Sequence, residues 1–475
     1  MERVIETSSG SLTGLRRQGL WEFRGIPYGK AERFKRPAES SWQGICRAEH
    51  FGPCAMQGKG DEVIGSEDCQ NLNIITPDLD GKLPVAVEVH GGSFQNGNNY
   101  EDMSRILAEK QKNIVYVSIG YRTGILGYLY LGGRLGEEYG DTGNLGLLDQ
   151  IAALKWVKKN IAAFGGDPER LTLIGNSAGA KSVASMMLSP HSRELFHQAV
   201  LSSGGIQTVR SAKTASKVAK EYLRVLGIKE AGELLKLPAR TLLLAQNSFC
   251  ARAGSTCFFG PVADGHNIPL DWQKQIRSEQ GWKGRAVIGA NRWECIKMKQ
   301  NPAFLQKADS IAEALFGENA VYARRTYERE SEGKDLSGEE RSLLWIRILS
   351  DYMYRTHAQR LAGILAERGE TVWEYSFEYP PAKHSLDLRF LTGRYFRDNP
   401  GLFGEEEKEA RALQAVMEDL YIQFIATGAP GGSTVPEWYP SRPESRYIMM
   451  LDAVCRQQKL EAEDAFSDFP DGAYQ

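Results

Sequence analysis

The sequence predicts an α/β fold, a mostly parallel twisted sheet with helices on both faces. Three observations predict it. Short β-rich apolar runs flanked by glycine alternate with helical patterns, which is how parallel strands buried on both faces read. The pentapeptide Gly175-Asn176-Ser177-Ala178-Gly179 stands between one such run and a helical pattern. A second run ends in His90-Gly91-Gly92-Ser93-Phe94.

The elements follow in chain order. Residues 1–80 hold short alternating runs broken by Gly and Pro, so small hairpins are expected. Buried strands are expected at Pro84–Val89, Asn113–Ser118, Leu171–Ile174, Gln198–Leu201 and Arg285–Ile288. Ile151, Leu154, Val157 and Ile161 recur at helical spacing, which predicts a helix over Asp149–Ala163. Gly165-Gly166-Asp167-Pro168 should stop it. A helix over Ala180–Leu188 follows the pentapeptide. Two long helical patterns come late, Glu339–Arg368 and Glu405–Ala426, and a strand at Thr371–Tyr379 precedes Pro380-Pro381. No Pro/Ser/Gly-rich linker divides the chain. One catalytic domain over residues 1–475 is expected, with helix-rich insertions at about 205–250 and 305–370 that roof the site.

Composition excludes several classes. The 475 residues are 42% hydrophobic and 25% charged, ordinary for a packed globular chain and too apolar for disorder. Lys and Arg number 58 against 60 Asp and Glu, a net charge of −2, which leaves no basic footprint for nucleic acid or an anionic membrane. No apolar run reaches the ~18 residues of a membrane helix. Met1–Gly14 has no apolar h-region, so no signal peptide is expected. The seven cysteines, an odd count with no CxxC spacing, read as reduced thiols in a cytoplasm.

The pentapeptide fits G-x-S-x-G. Glycines flanking a serine let strand and helix approach closely while the hydroxyl stands exposed at the strand end. The bare pattern is weak; its strand–turn–helix context strengthens it. The His90 loop precedes it, as a loop of oxyanion donors should: glycines bring backbone N–H groups close to a developing alkoxide. Ser93 stands where a third glycine is usual, and its N–H can still donate. A serine needs a base, and the base an orienting acid. His50 and His90 precede the serine, and His191 and His197 follow it too closely for an intervening acid. His266 comes early, and His357 lies inside a helical pattern. His384 follows a late strand, where the base should sit. Glu294 follows the strand Arg285–Ile288, with Asp264 and Asp387 as rival acids.

These residues, with several longer motifs, resemble the type-B carboxylesterases, the group of cholinesterases and bacterial p-nitrobenzyl esterases. The motifs run in order from Phe23-Arg24-Gly25-Ile26-Pro27-Tyr28 and Ser66-Glu67-Asp68-Cys69-Gln70-Asn71-Leu72-Asn73 through Tyr121-Arg122-Thr123-Gly124. Gly143–Gln150, Phe164–Pro168 and Gly260-Pro261-Val262-Ala263-Asp264-Gly265 continue the likeness over almost the whole chain. The resemblance implies the α/β-hydrolase fold and a serine carboxylesterase. It maps the nucleophile onto Ser177, the acid onto Glu294 and the base onto His384. It maps the oxyanion donors onto Gly92, Ser93 and Ala178, and assigns Asp264 to a structural turn. It also implies two buried ion pairs, Arg33–Glu67 and Arg122–Asp167.

Four departures stand out. Asn176 replaces the usual Glu before the serine, so cationic substrates are held less strongly and cholinesterase activity is not expected. Trp293 and Cys295 flank the acid, and Ser385 replaces Gly after the base. Cys54 and Cys69 match a disulfide of secreted relatives but are expected as free thiols. Phe94 and Trp293 are candidate pocket walls, with plain packing as the other reading. The expected reaction is acyl transfer through Ser177 with a small ester substrate. No metal or organic cofactor, nucleic acid or membrane partner is expected, and a monomer is favoured. The alternatives are hydrolysis of a lactone, thioester, carbamate or amide by the same groups, a thiol-dependent enzyme, or a non-catalytic cholinesterase-like binding protein.

Overall fold

The computed structural model describes residues 3–59, 62–100, 113–253, 259–300, 312–313 and 315–460. Cys257 and the start of the 305–370 insertion lie outside the described residues. The chain forms two compact units: residues 1–199, 209–275 and 280–283 in the first, and 200–208, 276–279 and 284–475 in the second.

The first unit holds strands β1 (Leu15–Arg17), β2 (Leu20–Pro27), β3 (Asn71–Thr76), β4 (Leu83–Val89), β5 (Val115–Ile119) and β6 (Gly166–Asn176). They lie side by side in the order β6-β4-β5-β3-β2-β1. β4 runs parallel to β5 and β6, while β3, β2 and β1 add antiparallel pairings. Every residue of β4 from Pro84 to Val89 is buried, which is why the strand reads as a continuous apolar run rather than an alternating one. Short antiparallel pairs also form near the N-terminus, Ile5–Thr7 with Gly10–Thr13 among them, as expected.

Helix α1 (Leu145–Asn160) lies between β5 and β6. It starts four residues before its predicted bound, because Leu145, Leu147 and Leu148 are already buried in its first turn. It ends in a short 3₁₀ turn, Ile161–Phe164, and Gly165 closes it at φ 77°. A Cβ on Gly165 would stand 1.9 Å from the Asp78 carbonyl oxygen, so only glycine fits this stop. Helices α2 (Ala178–Leu188), α3 (Ala212–Leu226) and α4 (Ala239–Ala253) follow. The Ser211 hydroxyl caps α3 by accepting from Thr214 N–H, and Gly227 ends it at φ 70°. α3 and α4 bring Tyr222, Leu242 and Phe249 onto a buried cluster with Phe94, Ile125, Tyr128 and Leu145.

One expected ion pair is corrected here. Arg122 pairs with Asp149 and not with Asp167: its Nε donates to Asp149 Oδ2 and its Nη2 to Oδ1, each at 2.8 Å. Asp149 stands in the early turns of α1, and both side chains are almost wholly out of water. Asp167 instead accepts from Glu169 N–H and has Lys82 at 3.9 Å. Arg33 does pair with Glu67, at 2.9 Å from its Nε, but the pair is only half-buried.

The second unit holds the parallel strands β7 (Arg285–Asn291), β8 (Thr371–Phe377) and β9 (Tyr447–Leu451), with β10 (Arg456–Lys459) antiparallel to β9. β9 and β10 have no counterpart among the predicted strands; methionines in one and polar residues in the other give weak β signal. The predicted helix Glu339–Arg368 divides into α5 (Gly338–Ser350), a π turn over Asp351–Arg355, and α6 (Thr356–Glu367). α5 opens on a capping box, Ser337 with Glu340. Helices α7 (Leu386–Leu391) and α8 (Gly404–Thr427) also belong to the unit, with shorter helical stretches besides.

Candidate active site

Ser177 is the one residue between the end of β6 and the start of α2. Its backbone sits at φ 57°, ψ −122°, a region costly for any L-residue by ~1–3 kcal/mol. The flanking glycines make the turn possible. A Cβ on Gly175 would lie 2.4 Å from the Gly179 carbonyl carbon, and one on Gly179 would lie 2.0 Å from the Val89 carbonyl oxygen. Strand, helix and the end of β4 therefore meet at van der Waals distance, as a nucleophile elbow requires. The Ser177 carbonyl accepts from Lys181 N–H at 3.0 Å, which carries α2 straight out of the turn.

The register brings the His90 loop beside this elbow. Val89 of β4 stands opposite Gly175 of β6, so both chains leave the sheet at one level. Gly91 lies against the elbow: a Cβ there would be 2.7 Å from the Asn176 carbonyl oxygen and 3.3 Å from Ser177 Cβ. Gly92 turns at φ 120°, and its carbonyl accepts from Gln95 and Asn96 N–H. Ser93 and Phe94 then both adopt left-handed backbone, at φ 55° and 58°. Ser93 thus stands in the left-handed region that glycine enters freely. His90 holds the loop from below. Its ring stacks on Tyr121 at 4.2 Å, and the Tyr121 hydroxyl donates to the His90 carbonyl at 2.5 Å. Burial lowers the His90 pKa to about 4, partly offset by the Gly91 carbonyl 2.8 Å from Nδ1. The ring is therefore neutral at pH 7 and donates to that carbonyl.

Strain at Ser93 gives a testable consequence. Ser93→Val puts a β-branched residue at positive φ, a strongly disfavoured placement. We expect kcat/KM for p-nitrophenyl butyrate to fall by about 10²-fold, the effect of losing one oxyanion donor. Ser93→Gly should leave it unchanged within about threefold, because glycine takes positive φ freely. Equal rates for the valine and glycine variants would refute the link between this backbone and turnover.

In the second unit the ends of β7 and β8 are also level, Asn291 opposite Phe377. The two following loops stay paired: Trp293 N–H donates to the Ala382 carbonyl at 2.9 Å, and Trp293 bridges to Lys383. This places Glu294 against His384. His384 Nδ1 lies 2.5 Å from Glu294 Oε2, and the carboxylate is fully buried while the imidazole is 28% exposed. A carboxylate oxygen accepts, so His384 Nδ1–H is the donor in this pair. Glu294 Oε1 accepts from the Ser203 hydroxyl at 2.5 Å and from Asn291 N–H at 2.7 Å. The Tyr354 ring, carried on the π turn, lies 4.7 Å from the His384 ring.

The other candidates fall as follows. Asp264 is a turn residue: it accepts from the N–H groups of His266, Asn267 and Ile268 and from the side chains of Asn144 and Asn267. Asp387 lies fully buried beside Asn291 rather than exposed on its loop. Phe94 is 2% exposed and packs edge-on against Tyr128 at 5.0 Å, which favours the packing reading. Trp293 is half-buried, with the Arg292 guanidinium 5.8 Å over its ring. Cys54 and Cys69 are free thiols. Among the described residues one set, Asp141, Asp264 and His266, has ligand atoms within 4.8 Å of one another. Its acids are already engaged, Asp141 by Arg36 and Asp264 by two asparagines. Sequence reasoning missed Ser203 and Asn291. Both are polar residues closing apolar strands, the one signal that could have found them.

A strained serine at a strand end, level with a loop of backbone donors, is chemistry of the serine hydrolases, and the comparisons narrow the class. A model of the Carboxylesterase family matches residues 1–467. The para-nitrobenzyl esterase of Bacillus subtilis is 31% identical, over 98% of this chain and 99% of its own length. The phenmedipham hydrolase of Pseudarthrobacter oxydans is 28% identical, over 94% of each. The crystal structure of carboxylesterase EST55 from Geobacillus stearothermophilus superposes with a TM-score of 0.85 at 32% identity, covering 98% of both chains. The chain belongs to the carboxylesterase family; it has the α/β-hydrolase fold and is a carboxylic ester hydrolase. No helix among the described residues is long and apolar enough to cross a membrane.

Proposed function

We propose that Ser177 is the nucleophile, His384 the general base and Glu294 its orienting acid, within one catalytic domain. The observation that carries this reading is the buried Glu294 carboxylate on His384 Nδ1, which leaves Nε2 as the acceptor. Nε2 takes the Ser177 proton as the hydroxyl oxygen attacks the ester carbonyl carbon. The N–H groups of Gly92, Ser93 and Ala178 receive the negative charge that forms on the carbonyl oxygen. The imidazolium returns its proton to the departing alcohol, leaving an acyl-enzyme. Water then attacks, again losing its proton to Nε2, and releases the acid. Glu294 stabilises the imidazolium in both steps.

Trp293 is the proposed pocket wall, Phe94 being packed edge-on against Tyr128. With Asn176 beside the serine, no carboxylate of the elbow attracts a cation, so neutral esters are the proposed substrates. A monomer is proposed, and so is a cytoplasmic location. An odd number of cysteines and the unbonded Cys54 and Cys69 support that location.

A fluorophosphonate probe tests the assignment. It should label the wild type once per chain, on the peptide that carries Ser177, and block hydrolysis of p-nitrophenyl acetate, butyrate and octanoate in step with labelling. Label on any other residue would overturn it. Glu294→Gln tests the acid. We expect kcat lower by about 10³–10⁴-fold with the fold intact, because an amide in place of the carboxylate presents the wrong tautomer and removes the charge.

A further inference from the structure

We propose that Asp387 is a positioning residue for the acid–base pair: it fixes the amide of Asn291, and Asn291 fixes the Glu294 carboxylate against His384. The inference rests on the roles given above to Glu294 and His384.

Asp387 begins three residues after His384, in the first turn of α7, and is 0% exposed. Its Oδ2 accepts from the Tyr375 hydroxyl at 2.8 Å and from the Ser202 hydroxyl. Its Oδ1 accepts from Leu388 N–H at 2.9 Å and from Asn291 Nδ2 at 3.1 Å. The Asp387 backbone N–H in turn donates to Asn291 Oδ1 at 3.2 Å. The amide is thus held at both ends by one residue, which settles which end is oxygen.

That orientation matters on the other side. Asn291 Nδ2 also donates to Ser203 Oγ at 3.1 Å and lies 3.4 Å from Glu294 Oε1. Because its oxygen accepts the Asn291 Nδ2–H hydrogen bond, the Ser203 hydroxyl hydrogen is directed to Glu294 Oε1. Together with Asn291 N–H it occupies Oε1, so Oε2 is the oxygen that meets the imidazole. A flipped amide would set a carbonyl oxygen against two acceptors and undo this order. The groups facing Asp387 are Glu294 after β7, Tyr375 on β8, Tyr421 on α8 and the Ser202 hydroxyl. Burial and the Glu294 charge push its carboxyl up; the Ser202, Tyr375 and Asn291 donors oppose this. A second acid is therefore kept beside Glu294 against an electrostatic cost, and the organised donors are what it secures.

The test compares Asp387→Ala, Asp387→Asn and Asn291→Ala in the full chain with p-nitrophenyl butyrate. Asp387→Asn can keep the geometry: its Oδ1 still meets the Leu388 N–H, and the Ser202 and Tyr375 hydroxyls can turn to accept from its amide. We expect Asp387→Ala to lower kcat by about 10–100-fold, the scale of a small misplacement of reacting groups, with KM changed less than about twofold. Asp387→Asn should recover kcat to within about threefold of wild type. Asn291→Ala should match Asp387→Ala, and the double variant should be no slower than the worse single, since both act through one contact. If Asp387→Ala lacks the native thermal transition, Asn291→Ala carries the kcat and KM test alone. A folded variant with wild-type kcat, or single losses that multiply in the double variant, would overturn the inference. A wild type without esterase activity, or a fully active Ser177→Ala, would instead sink the underlying reading of the site.

Discussion

Ser177→Ala should lower kcat/KM for p-nitrophenyl butyrate by about 10⁴–10⁶-fold while leaving the thermal transition in place. The loss is large because the hydroxyl is the attacking group in the proposed reaction and no neighbouring thiol replaces it in the elbow. What rate remains would come from substrate binding and oxyanion donors alone, so further removal of His384 should cost little more. The alanine keeps the Cβ, and its smaller side chain suits the strained backbone no worse than serine. Stopped-flow traces give a second readout. The wild type should show a burst of p-nitrophenol near one equivalent, and Ser177→Ala none. A variant that keeps more than about a tenth of wild-type activity would contradict a serine nucleophile at this position, since the uncatalysed margin is several decades.

Arg122→Met should destabilise the protein by about 3–5 kcal/mol, because it strands a carboxylate that is wholly out of water. Asp149 now accepts from Arg122 Nε, Nη2 and backbone N–H, with Gln70 Nε2 at 3.3 Å. Removing the guanidinium leaves only the two weaker donors. The same arginine donates from Nη1 to the Lys35 carbonyl at 2.8 Å, so a second acceptor loses its partner as well. Adding Asp149→Leu to the first change should recover much of the loss, since two apolar groups replace two buried charges. Urea unfolding followed by tryptophan fluorescence measures all three. Asp167→Asn serves as the control and should cost less than about 1 kcal/mol, because its amide oxygen can still accept from Glu169 N–H and its cationic neighbour Lys82 is exposed and 3.9 Å away. If Asp167→Asn proved as damaging as Arg122→Met, the pairing described here would be wrong.

Much of the fold and part of the site were legible in the residues. β4 could be read from its uninterrupted apolar run and the long α8 from its helical periodicity, because both signals are local. The elbow could be read because Gly175, Ser177 and Gly179 stand within five residues, between a strand pattern and a helical one. His384 and Glu294 were placed by their position after strands, with Asp264 and Asp387 still open as acids. The structure removed Asp264 by engaging it in a turn with three consecutive backbone N–H groups. It drew Asp387 into a buried hydrogen-bonded set and left Glu294 on the imidazole. The π turn at Asp351–Arg355 was invisible because one extra residue in a turn barely disturbs an apolar pattern.

By itself, then, the sequence determined the class of fold, the serine between its flanking glycines, and a histidine and carboxylates that follow late strands. Only the tertiary structure decided that Arg122 takes Asp149 rather than Asp167, that Ser93 accepts a left-handed backbone, and that Asn291 joins Asp387 to Glu294. The reason is the range of the forces involved. Turns and caps depend on neighbours a few residues away, and spacing records them. Asn291 meets Asp387 across 96 residues and Ser202 meets it across 185, and those meetings follow from strand register and from the cost of leaving a buried polar group without a partner.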